Sequence, residues 1–450
     1  MKKFLISVVS ILTTLILAVF CCIGCSNSSK NNSSKNNPSD NPNKKPQESE
    51  YNIISISEFY NGLARFKTYD GKYGYMDVNG KVVIEPIYTS AQIDFDENVA
   101  LVSKDGTEML IDRKGNVIKE FDFDFTAIGT FENGFIWIET KEETISKNIP
   151  VMNYYNEKGE KSFSVNNVSH WQSYSSFNEY GYAFVCEDNL YRLIDRYGNI
   201  PDFIPQNLYI VNAYGNYITL GIDGNYISGP MYYIDYQNQK LISAQDISIS
   251  LTSIIELKNS DANGNKIYSC TSKYSTPNAD SLISDKCNML ALITKNEILI
   301  KLQDIFTDAA YFKAIECGVY NNKTYYTIYM KNQNGVAFYS VIDENGQVLI
   351  SPTKKYELGY SYSEKVNSYL SLTLTRYQAY AFSSGLCKAK DSETGLFGFI
   401  DLQGNWVIQP LYDSVTDFSE HNGSAYAIVN GTTIINNKGE IVFSAQQTNS

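Results

Sequence analysis

The chain has 450 residues, 14% of them aromatic with 36 tyrosines, and a formal net charge of −12. Such an acid surplus excludes a broad basic surface for nucleic acid or anionic lipid, and the wealth of tyrosine favours half-buried strands over helices. With two histidines, no phosphate-cradling glycine loop and no zinc-type cysteine spacing, catalysis would have to rest on carboxylates.

Residues 1–25 read as an export signal. Lys2 and Lys3 precede an apolar run from Phe4 to Ile23 that only hydroxyl residues interrupt, and Gly24 stands before Cys25. A small residue before a cysteine suits a lipoprotein-type signal, with Cys25 as the lipidated first residue of the mature chain. The alternative is an uncleaved anchor, because about 20 apolar residues span a bilayer. Either way the body is expected on the extracytoplasmic face of the cell membrane. Losing Lys2 and Lys3 with the signal takes the net charge from −12 to −14. Cys22 and Cys25 form a CxxC, but at the end of a signal it carries no redox reading. Residues 26–50 hold Ser, Asn, Lys and Pro and no large apolar residue, which predicts a disordered stalk. As a flexible coil it spans roughly 25–30 Å.

From 51 to 446 one pattern recurs. A β-type run ends in Asp or Asn, passes two polar residues, reaches Gly or Asn, and restarts. The instances are Asp77–Gly80, Asp112–Gly115, Asn156–Gly159, Asp195–Gly198, Asp235–Asn238, Asp343–Gly346, Asp401–Gly404 and Asn436–Gly439. The Asx side chain accepts backbone N–H bonds and the fourth position takes positive φ, so each predicts a type I turn closed by a G1 bulge between antiparallel strands. The first copy runs Gly62-Leu-Ala-Arg-Phe-Lys, Lys72-Tyr-Gly-Tyr-Met-Asp77 and Lys81-Val-Val-Ile-Glu-Pro86-Ile-Tyr88. The seventh runs Gly385-Leu-Cys-Lys-Ala-Lys, Gly395-Leu-Phe-Gly-Phe-Ile-Asp401 and Gly404-Asn-Trp-Val-Ile-Gln-Pro410-Leu-Tyr412. Phe59 and Phe382 recur 36 residues on as Phe95 and Phe418. The interval from Asp235 to Asp343, degenerate over about 245–330, predicts one or two worn copies, with Asp261–Gly264 and Lys295-Asn296 as remnants. Apolar spacing over 304–316 is compatible with a short inserted helix.

These residues resemble the WG-repeat family, also called KWG repeats, with Tyr73 and Phe397 where its consensus has Trp. The likeness is strong over about 59–120 and 382–443 and faint over 131–350. The resemblance implies a bacterial repeat protein, commonly exported, with binding or structural roles.

His170 and His421 each stand alone in a polar stretch and read as surface loop residues. No Gly-x-Ser-x-Gly elbow occurs; the nearest phrase, Gly359-Tyr-Ser-Tyr-Ser363, lacks the second glycine. Asp94, Asp96 and Glu97, and also Asp122 and Asp124, are the acid clusters that calcium binding or acid–base chemistry would use. The repeated turn acids read as caps on corners. By strand alternation Tyr73 and Tyr75 face one way, Gly74 and Met76 the other. Gly74 and Gly398 allow a close neighbour. Rings at such positions either fill the space between repeats or stack on sugars or a peptide. Of the cysteines 186, 270, 287, 317 and 387, Cys270 and Cys287 are a possible pair, and buried thiols are the other reading.

The chain is therefore expected to be all-β, built from tandem antiparallel hairpin repeats in a propeller-like ring, with an open β-solenoid as the alternative. The expected function is a lipid-anchored, non-enzymatic scaffold binding an extracellular protein or glycan, without cofactor or metal and without nucleic acid as partner. The alternative is a carboxylate-dependent hydrolase of cell-wall or extracellular glycans.

Overall fold

The computed structural model describes residues 50–445 except 97, 144–147, 167, 169–175, 188–189, 206–208, 215–216, 222–230, 244–245, 247–248, 273–288, 293–294, 296 and 368–371. The export signal, with Cys25, and the stalk up to residue 49 lie outside the described residues, as do Glu97, His170 and Cys287. Antiparallel sheets follow one another along the chain, at 53–88, 90–121, 127–166, 182–243, 249–301, 311–353, 356–412 and 419–444, numbered 1 to 8. Strands neighbouring in sequence are neighbours in each sheet except sheet 7, where Tyr356–Glu357 pairs with Cys387–Asp391 past the strands Gly359–Asn367 and Leu372–Ala379, which pair with each other. Sheet 4 has six strands and the others four, and the arrangement is an eight-bladed β-propeller.

Sheet 1 shows how sequence alternation builds this architecture. Leu63–Thr68 pairs with Tyr73–Asp77 in the register Ala64↔Met76 and Phe66↔Gly74. Successive side chains therefore leave on opposite faces. Ala64, Phe66 and Met76 enter a core shared with sheet 8, whereas Leu63, Tyr75 and Ile84 enter one shared with sheet 2. Both faces are buried, so no sheet is stable without its neighbours. Gly74 is required because a Cβ there would lie 2.5 Å from the Ile84 carbonyl oxygen, and Gly398 stands in the same relation to Ile408, at 2.4 Å.

The ring closes by packing, not by strand exchange. Phe59, Phe66 and Val78 of the first module meet Ile428, Ile434 and Phe443 of the last in one cluster. The Ile56 N–H donates to the Gly431 carbonyl at 2.8 Å. His421 belongs to this seam: its ring lies over Gly62, where a Cβ would come within 2.3 Å of it. The reading of His421 as a surface loop residue is corrected to the end of strand Ser419–His421 at the closure.

Sheet 4 holds two copies of the repeat. Its first two strands join the last four through one residue pair among those described, Tyr191↔Ile210. Phe184 and Leu193 pack face to face with Ile218 and Ile234. The corners Asp195 and Asp235 thus both fall in one sheet. Among the described residues, the worn interval after Asp235 holds one further copy, sheet 5, which contains both the Asp261 turn and Lys295. The helix expected over 304–316 is confined to Leu302–Ile305, and Tyr311–Tyr320 is a strand. The apolar spacing misled because Leu302, Phe306, Phe312 and Ile315 all feed one core between sheets 5 and 6 from a turn, a loop and a strand.

The leading strands of sheets 5 and 6 touch, and that of sheet 6 touches the segment before Cys387–Asp391 of sheet 7. Asn259 in Ile249–Ser260 donates its side-chain amide to the Cys317 carbonyl in Tyr311–Tyr320 at 2.7 Å, and Val319 bridges Ser383 in parallel. Radially set sheets approach most closely near the axis, so these strands form the inner edge. Glu316 clamps it: 6% exposed, it accepts the N–H groups of Cys317, Asn259 and Lys258 at 3.0, 3.2 and 3.4 Å. Burial raises its pKa, and those N–H bonds oppose the rise.

Candidate functional site

The turn acids are spent on their own backbone. Asp77 Oδ1 accepts the N–H groups of Asn79 and Lys81 at 2.9 and 3.0 Å, and Gly80, at φ 79°, donates to the Asp77 carbonyl. The same pair of bonds recurs at Asp112, Asn156, Asp195, Asp343, Asp401 and Asn436, with Gly115, Gly159, Gly198, Gly346, Gly404 and Gly439 at positive φ. At Asp112 burial works against ionisation. The Asn116 amide and the Asn116 and Lys114 N–H groups nevertheless hold the carboxyl below the usual range. Asp235 departs from the pattern. There Gln239 takes positive φ rather than Asn238, whose N–H and amide both bind the Asp235 carboxylate, and Lys240 reaches it at 3.8 Å.

The remnant at Asp261–Gly264 has the same corner geometry, and two further corners of that geometry lie at Asn178–Gly181 and Asn332–Gly335. Asp261 is a turn cap, accepting the N–H groups of Asn263 and Asn265. Asp96 accepts the Gly134 N–H at 2.9 Å, Asp94 lies beside Gln92, and Asp122 and Asp124 are exposed. Among the described residues no group of three His, Cys, Asp or Glu side chains is placed to hold a metal ion. Cys186, Cys270, Cys317 and Cys387 are buried. Burial pushes the Cys317 thiol up to about 12, and it donates to the Ser260 carbonyl.

Tyr75 and its counterpart Phe399 are core, while Tyr73 and Phe397 are half-buried at the margin of their cores, with Arg65 and Lys67 over the Tyr73 ring. Tyr75 is fully buried, 4.8 Å from the Phe95 ring, and its hydroxyl donates to the Gln92 carbonyl.

Among the described residues the repeat is broken at two places, and both breaks flank sheet 6. One is the turn of helix Leu302–Ile305 with the loop to Ala310. The other is a hairpin, Gly359–Asn367 with Leu372–Ala379, inserted into the leading segment of sheet 7. Its ends meet, since the Tyr380 N–H donates to the Leu358 carbonyl at 2.9 Å. Beside the helical turn lies a cleft of about 490 Å³ with an apolar floor of Phe306, Met330, Phe338 and Val348, and with Asp308 and Lys331 among its polar residues. Lys331 connects the cleft to the hairpin: its ammonium lies 5.2 Å from the centre of the Tyr377 ring, over which Lys313 also sits, at 5.5 Å. Tyr377 meets Tyr329 edge-on at 5.4 Å, and Tyr329 stacks on Tyr339 at 4.8 Å. Alternation sends Tyr360 and Tyr362 to the hairpin's other face.

Residues 73–107, 109–142 and 397–430 match the family described as WG containing repeat. These three segments are WG repeats. Each match runs from the third strand of one sheet to the end of the second strand of the next, so the WG unit spans an inter-sheet core rather than one sheet. The three matches leave the region of both breaks outside them. No curated protein matches the chain. Among solved structures, the chain is similar to the β-propeller domain of the Trilobed protease from Pyrococcus furiosus, at 12% identity and TM-score 0.32, covering 79% of this chain and 96% of that one. It is also similar to the Pyrococcus horikoshii acylaminoacyl peptidase, at 8% identity and TM-score 0.31, covering 80% of this chain and 52% of that one. Hsv2p of Kluyveromyces lactis follows at 8% identity and TM-score 0.24, covering 65% and 75%.

Proposed function

We propose that this protein is a non-enzymatic binding scaffold, held outside the cytoplasm by lipid on Cys25, whose ligand contacts lie around sheet 6. The observation that carries the reading is the convergence of both breaks in the repeat on that sheet. Sheets 1, 2 and 8 pack on their neighbours without a helical turn or an inserted hairpin, yet around sheet 6 these two additions build a cleft and a wall of tyrosine and lysine that share Lys331. Loops and insertions on a rigid scaffold are where binding groups concentrate. Glycoside hydrolysis takes a pair of carboxylates; the cleft beside sheet 6 has one among its described residues, Asp308, and the hydrolase reading would instead rest on a smaller cleft of about 340 Å³ where Asp94 and Glu108 stand with Arg65. The repeated turn acids face their own backbone.

The test is capture of envelope and extracellular proteins and glycans by the full chain, repeated with Lys331→Glu and Phe338→Ala. Loss of the captured ligand in these variants, with retention in a Lys158→Glu control on a remote corner, is the expected result. A ligand that ignores every change around sheet 6 contradicts the assignment.

A further inference from the structure

We propose that the outer face of the inserted hairpin is a platform for a neutral saccharide chain. This rests on the reading of the sheet 6 region as the binding part of the molecule and adds the ligand's chemical class.

The register Tyr360↔Gln378 and Ser361↔Tyr377 divides the hairpin into two faces. The inner face packs Tyr377 on Tyr329. The outer face presents Tyr360 and Tyr362, 44% and 46% exposed, with ring centres 5.8 Å apart and planes inclined by 36°. Tyr360 also stacks on buried Tyr380 at 5.9 Å, and its hydroxyl donates to the Gln378 side-chain oxygen at 2.7 Å. Three rings therefore run in a row, and the middle one is fixed in orientation before any ligand arrives. Lys388 lies 4.8 Å from the Tyr380 ring and binds Asp417 at 3.0 Å, and Arg376 is the cross-strand neighbour of Tyr362.

This surface has the two-sided character of a sugar. A pyranose shows C–H groups on its faces and hydroxyls around its edge; a tyrosine row offers flat π-faces for the former, with phenol and amide groups at the margin for the latter. A protein partner seeking apolar contact would need a broad contiguous patch, whereas here exposed Ser361 and polar ring tips break the strip. Stacked bases also use such rings, but a net charge of −12 repels nucleic acid and polyuronate alike.

The experiment is calorimetric titration of the full chain with cellohexaose and chitohexaose, and with oligogalacturonate and oligothymidylate as polyanions. Binding of at least one neutral probe is expected, weakened about tenfold by Tyr360→Ala and by Tyr362→Ala and retained in Tyr362→Phe. Tyr362→Ala keeps the thermal midpoint, and Tyr360→Ala lowers it slightly, through loss of the Tyr380 stack and the Gln378 bond, while staying folded. The inference is overturned if neither neutral probe binds, if binding survives both alanine changes, or if a polyanion binds more tightly. Capture of a protein through the Lys331 cleft without any sugar binding removes the saccharide platform and leaves the scaffold reading standing. Insensitivity of every ligand to the sheet 6 variants removes both.

Discussion

Gly80 and Gly71 share a backbone conformation, φ 79° and 84°, and differ in what surrounds them. A Cβ at Gly80 would lie 2.1 Å from the Phe443 ring of sheet 8, whereas nothing stands within 4 Å of one at Gly71. Gly71→Ala is therefore expected to cost about 1–2 kcal/mol of left-handed backbone strain. Gly80→Ala adds about 1–3 kcal/mol of overpacking, and urea midpoints of the two variants measure the difference. Glu316 supplies a pH signature. Its folded pKa is raised, mainly by burial, so its stabilising contribution is fully present below the unfolded value and is lost as pH rises through the folded value. Glu316→Gln removes that loss. The variant gains on the wild type as denaturation is repeated from about pH 4 to about pH 8, spanning the range above an ordinary glutamate. At this scale the corners were legible because Asx and Gly recur at fixed spacing. Asp235 was misread in detail because Asn238 spends its own amide on the carboxylate, which moves the positive φ to Gln239.

At the scale of elements, the hairpin at 359–379 is an addition rather than a support. Leu358 and Tyr380 are hydrogen-bonded across its base, and Gly359 pairs with Ala379. Replacing residues 360–378 by Asn-Gly, which suits a tight two-residue turn, is expected to leave a folded ring with an unchanged circular-dichroism spectrum and no ligand capture. Collapse of the fold would instead make the hairpin part of the framework. The insertion was hidden in the sequence because Gly359-Tyr-Ser-Tyr-Ser363 alternates like any strand of the repeat. Sheet 5 was nearly hidden for a different reason: its Asx corner sits between its first two strands, Ile249–Ser260 and Lys266–Ser272, instead of its last two. Strand alternation, by contrast, assigned Tyr75 and Met76 to opposite cores correctly, because burial on both faces leaves a strand no freedom of register.

For the whole molecule, nine apolar clusters occur among the described residues, each joining one module to the next, with one joining the last to the first. The eight sheets and nine modules are reconciled by the doubled sheet 4. Ring against solenoid was beyond the sequence, since either closure would leave the same repeat pattern and only the end-to-end contact differs. At this scale too, Cys25→Ser is expected to release the protein from the membrane fraction into the soluble fraction, as immunoblots of the two would show; an unchanged membrane pool would mean the apolar segment anchors by itself. The central claim is that the first and last sheets touch, and pulsed electron–electron spin resonance between labels at Ile54→Cys and Asn430→Cys tests it directly. With Ile56 and Gly431 in backbone contact at 2.8 Å, a single short distance is predicted, limited by the label arms. An open array of eight sheets spaced about 10 Å apart would instead place the labels about 70 Å from each other, and that distance would contradict the ring.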